Sequence, residues 1–157
     1  MTKLNPGASQ FFTFLGIIFL STNVAAGIFS VLGAICPSEA LANIIAPAII
    51  VIFFLFGGFF INSSDIPKYY IWLHYSSFFK YSFEALMTNE FAGTTFNCTD
   101  AQKVGGSCPI PDGATALSNY GFPDVVIWHW ALVLLAMVII FRLIAFLGLQ
   151  FLYKEKR

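Results

Sequence analysis

The sequence predicts an all-α integral membrane fold: three transmembrane helices, a short re-entrant or interfacial helical segment, and a disulfide-containing extracellular loop. Two observations predict it. Residues 4–38 and 40–64 contain almost nothing but apolar and small polar side chains, and residues 125–153 repeat the pattern with one charge, Arg142. Each run exceeds the roughly 20 residues that an α-helix needs to cross about 30 Å of hydrocarbon. Composition agrees, since 58% of residues are hydrophobic and only 10% charged, against about 25% charged in soluble domains.

The first spanning helix is expected over about Phe11–Ile35, ending where Cys36-Pro37 breaks the pattern. The second is expected over about 40–62 and carries Pro47, which invites a kink, and Gly57-Gly58, which permit close helix contact. The third is expected over about 125–153. Its Arg142 is weighed as a substrate or proton site against structural support, the latter favoured because the side chain can snorkel toward the basic end. Lys154, Lys156 and Arg157 beyond this helix place the C-terminus in the cytoplasm, which puts residues 63–124 outside and the 36–39 turn inside. Trp128 and Trp130 at one end and Tyr153 at the other fit interfacial belts.

Within the outside loop, the aromatic run from Tyr69 to Tyr75 suits the headgroup layer. Phe78–Phe91 reads as a short amphipathic helix, too short to span. Lys80, Glu84 and Thr88 recur at i, i+4 and i+8 as a polar stripe, and Phe79, Phe83, Leu86 and Met87 supply an apolar side. Residues 93–121 have loop chemistry. Cys98 and Cys108 would pair across a polar turn in an oxidising compartment, with two free thiols or an intermolecular bridge as the alternative. Asn97-Cys98-Thr99 and Asn62-Ser63-Ser64 fit the glycosylation sequon, and Asn97 is the better-placed candidate.

The chain carries eight Lys and Arg against eight Asp and Glu, with no basic patch to gather nucleic acid. It has no phosphate loop, no nucleophile with its base, and no cluster of metal-ligand types. The chain alone is therefore not expected to be an enzyme or to hold a metal or cofactor.

Several segments in fixed order resemble the C-terminal half of the membrane domain of subfamily G ABC transporters, the White and breast-cancer-resistance-protein group. They are residues 55–62 (Leu-Phe-Gly-Gly-Phe-Phe-Ile-Asn), Asp65-Ile66-Pro67, residues 75–86, Asn89-Glu90-Phe91, and residues 141–147 before the basic tail. The resemblance implies ATP-driven export or translocation of lipid-like or other hydrophobic substrates. ATP and Mg would sit on a nucleotide-binding domain outside this chain, and two half-transporters, identical or different, would enclose a cavity in the bilayer. It also implies that Val51 and Phe54 face substrate, that Phe59 and Phe60 form a hydrophobic plug, that Glu84 occupies an acidic position on the re-entrant helix, and that Cys98 and Cys108 match an extracellular disulfide. The expectation is then a partial transporter membrane domain over residues 1–157, lacking its N-terminal half. A small three-helix scaffold without transport activity, or a nonfunctional truncated fragment, is the alternative.

Overall fold

The computed structural model describes residues 7–58, 67–96, 108–122 and 125–152. Among them six helices occur: α1 (Ala8–Ile35), α2 (Glu39–Leu55), α3 (Ile71–Ser76), α4 (Phe78–Phe91), α5 (Gly113–Asn119) and α6 (Ile127–Leu152).

Helix α1 has 28 residues and α6 has 26, so they rise about 42 and 39 Å and exceed the hydrocarbon thickness. Only 22% and 11% of their most apolar windows are buried within the chain, unlike the core helix of a soluble domain. Polar side chains along α1 do not disturb it, because they bond back to the preceding turn. Thr13, Ser21, Thr22, Asn23 and Ser30 each donate to the carbonyl four residues earlier, leaving little that a lipid would have to solvate.

Among the described residues two helices, not the three expected, are long and apolar enough to span. Helix α2 begins as its sequence dictates, with the Ser38 hydroxyl accepting from the Leu41 amide. It stops after 17 residues, about 26 Å, and not near residue 62 as expected. The reason is local: Phe56 leaves helical geometry, and Gly58 has φ +87°, a left-handed conformation that glycine adopts without a Cβ clash. The expected loop pairing falls partly outside the described residues, since Cys98 is not among them; Cys108 is disulfide-bonded and Cys36 is a free cysteine.

Helices α1 and α6 run parallel in one register. A Cβ on Gly27 would lie 2.9 Å from Phe141 Cβ, and one on Gly148 would lie 3.3 Å from Ala34 Cβ, so small residues let the two backbones approach. Parallel neighbours require the chain to return between them, and α2 with the segment around α3 and α4 does so. Helix α4 spans the residues expected of it and runs back along the first half of α1. Ser82 Oγ lies 2.6 Å from Ser21 Oγ, and Asn89 Nδ2 donates to Gln10 O at 3.0 Å. The core forms where α1, α4 and α6 meet, around Ile17, Val24, Ile28, Phe78, Tyr81, Ala85 and Leu134.

Candidate functional site: the end of α2 and the α3–α4 hairpin

Where α2 stops, its last carbonyls have no helical partner, and inside an apolar environment each would need one. The α3–α4 hairpin provides them. Ser77, the residue between the two helices, donates its hydroxyl to Phe53 O at 2.7 Å, and His74 Nδ1 lies 2.7 Å from Phe56 O. A carbonyl oxygen only accepts, so Nδ1 carries the imidazole proton. Both side chains are almost fully buried. Burial holds the His74 pKa below the ordinary imidazole range; the bond to Phe56 opposes this, Lys80 reinforces it, and Glu84 opposes it.

One turn further on lies a buried ion pair. Lys80 Nζ is 2.8 Å from Glu84 Oε1, with both side chains under one-tenth exposed. The ammonium also sits 4.9 Å from the Trp130 ring centroid, 5.1 Å from that of Tyr81 and 5.4 Å from that of Tyr75. Three aromatic faces and one carboxylate thus share the charge, the arrangement that makes a desolvated cation tolerable. The Tyr81 hydroxyl donates to Tyr75 O at 2.7 Å and fastens α4 to the end of α3. Its pKa is raised by burial first, then by the Glu84 and Tyr75 charges.

The polar stripe of α4 therefore faces inward. Lys80, Glu84 and Thr88 are all buried, while Phe79, Phe83 and Leu86 on the other side are only partly buried. Ordinary amphipathicity is reversed, as expected of a helix whose outer surroundings are apolar.

Of the positions named by resemblance, Val51 and Phe54 lie on exposed parts of α2, 54% and 41% accessible. Phe54 meets Phe79 edge-on at 5.4 Å. Phe54, Gly57, Phe79, Phe83 and Leu86 line an apolar cavity of about 350 Å³ between α1, α2 and α4. Glu84 is brought to the ion pair, away from that cavity. Phe59, Phe60, Asn97, Cys98 and the basic tail lie outside the described residues. Arg142 is on an exposed face of α6. His74 and Ser77 went unremarked in the sequence; the available signal was two hydrogen-bonding residues at i and i+3 in an otherwise apolar aromatic run.

Comparison with known proteins shows the family. A family model described as ABC-2 type transporter matches residues 1–91. The chain is 35% identical over 149 residues to ABC transporter G family member 1 of Dictyostelium discoideum, covering 95% of this chain and 19% of that protein. It is 31% identical to Protein white of Ceratitis capitata, over 98% of this chain and 22% of that protein. Identity is also 31% to Protein white of Drosophila melanogaster, over 99% of this chain and 23% of that protein. The chain thus spans about a fifth of the length of each of these three relatives.

Proposed function

Because the chain belongs to the ABC-2 type transporter family, and within it to the membrane domains of subfamily G, we propose that it forms the C-terminal membrane portion of an ATP-driven half-transporter that moves lipid-like or other hydrophobic substrates. The observation that carries this reading is the exposed apolar face of α2 at Val51 and Phe54, on a helix held at its end by the α3–α4 hairpin. A short apolar helix with a rigidly capped end can present a fixed surface to a mobile apolar ligand, which binds through shape and apolar area.

The remaining parts follow from the same reading. ATP and Mg bind a nucleotide-binding domain outside this chain, which supplies the energy; a second half-transporter, identical or different, faces Val51 and Phe54 across a cavity. Phe59 and Phe60 close it as an apolar plug. The basic tail lies in the cytoplasm, and the residues 63–124 segment lies on the other side, with Asn97 as its glycan acceptor.

Purification from source membranes with an antibody against residues 150–157 tests the assignment. The account expects a polypeptide several-fold larger than the 17.4 kDa of this chain, with ATPase activity that hydrophobic compounds stimulate. A species near 17.4 kDa that brings down no ATPase contradicts it.

A further inference from the structure

The end of α2 has a neighbour that the α3–α4 hairpin does not provide. Gly58, with φ +87°, is buried, and a Cβ built on it would lie 3.6 Å from both His74 Cε1 and Phe122 Cζ. Phe122 belongs to the segment between α5 and α6 and is only 3% exposed. Its ring also meets Phe83 of α4 edge-on at 5.9 Å and stacks with Tyr120 at 6.3 Å.

The residues before Phe122 are arranged to deliver it there. Asp112 caps α5, accepting from the Thr115 amide at 2.9 Å. The Gly113 amide donates to Thr94 O at 2.9 Å, and a Cβ on Gly113 would collide with Phe91 O, so α5 lies tight against the end of α4. At the other end of α5, the amide of left-handed Gly121 donates to Ser118 O at 3.0 Å, and the Phe122 amide donates to Leu117 O at 2.9 Å. This crossed pair of bonds is a Schellman turn, which fixes the direction in which the next residue leaves the helix. Cys108, disulfide-bonded, ties down the start of the same segment.

We propose that residues 110–122 act as a strap on the end of α2, with Phe122 as its catch. While α5 lies against α4, Phe122 and His74 together hold Gly58; lifting α5 withdraws the ring and frees the last turn of α2. A close-packed interior has little with which to refill the space of a withdrawn ring, so the displacement is passed on to the glycine. The strap concerns how the end of α2 is held, and it stands whether or not the Val51 and Phe54 face carries substrate.

The test is amide hydrogen exchange of the full-length protein in nanodiscs, read by peptide mass spectrometry. The amides of Phe56 and Gly57, bonded to Ile52 O and Phe54 O, report the end of α2. Phe122→Ala should speed exchange over residues 53–58 by about tenfold or more and leave α1 as it was, and Phe122→Leu, which refills the space, should restore most of the protection. Two variants release the strap from a distance with Phe122 intact. Gly113→Ala pushes α5 off Phe91 O, and Asp112→Ala, a milder change, removes only the cap of α5. Both should speed exchange over residues 53–58, Gly113→Ala the more, and neither should add to the effect of Phe122→Ala, because all three act through one catch. Gly27→Leu, which strains the contact between α1 and α6, is the control for general destabilisation and should not single out residues 53–58. The strap is overturned if neither α5 variant changes exchange at the end of α2, if their effects add to that of Phe122→Ala, or if Phe122→Ala loosens α1, α2 and α6 alike.

Discussion

Ser77 and His74 act on a backbone that is not their own, and their removal should be felt at the end of α2. Ser77→Ala leaves Phe53 O buried without its donor and should destabilise the protein by about 1–3 kcal/mol, read as a lower apparent Tm. His74 adds a pH dependence whose sign follows from its lowered pKa. The unfolded chain takes up a proton near pH 6.5, whereas the buried imidazole resists it. Stability is therefore full above about pH 6.5 and declines as pH falls below that value toward the folded pKa. Melting curves between about pH 5 and 8 should show this slope, and His74→Gln, which keeps a donor but cannot titrate, should flatten it. The ion pair predicts non-additivity. Lys80→Met alone strands a buried carboxylate and should cost about 3–5 kcal/mol, while Lys80→Met with Glu84→Leu should recover most of it. A double variant as unstable as the sum of the singles would contradict the pairing.

At the scale of elements, the long helices were legible because run length and the absence of charge decide them. Helix α1 ends before Pro37, as the residue pair Cys36-Pro37 demands. Helix α4 was legible over its full length from the periodicity of its side chains. The stop of α2 was not, since Gly57-Gly58 inside an apolar run reads equally as a close-packing site in a continuing helix. What ends α2 is tertiary: left-handed Gly58 joined to carbonyl capping by residues about 20 positions downstream. Local pattern carries no record of such a partner. The inward direction of the Lys80, Glu84 and Thr88 stripe was hidden for a related reason, because periodicity gives a face and the surroundings decide which way it turns. The contact between α1 and α6 makes its own prediction. Gly27→Leu would force Phe141 away and should cost about 1–3 kcal/mol by overpacking, whereas Gly16→Leu, about three turns earlier where space is open, should not.

For the whole molecule, two parallel spanning helices frame a shorter α2 and a hairpin that closes its end. The arrangement separates what is rigid from what is available. Hydrogen bonds and the ion pair fix the hairpin, and the exposed apolar surface of α2 is left for a partner or ligand. The family was legible from the ordered residues between Leu55 and Phe91, and the match over residues 1–91 agrees with it. The roles of individual α2 residues were legible only as resemblance, because one apolar side chain on a membrane helix has the same chemistry facing lipid as facing substrate.

The most direct measurement is ATP-dependent uptake of a hydrophobic fluorescent lipid into inside-out vesicles bearing the full-length protein, compared with Val51→Trp and with Leu135→Trp as the control. Leu135, like Val51, is an exposed apolar helix position, but it lies on α6. The account predicts uptake by the unaltered protein, its loss by about tenfold or more in Val51→Trp, where bulk enters the proposed path, and near-unaltered uptake in Leu135→Trp. Uptake that ignores ATP, or that Val51→Trp and Leu135→Trp reduce alike, would contradict the assignment of the α2 face to transport.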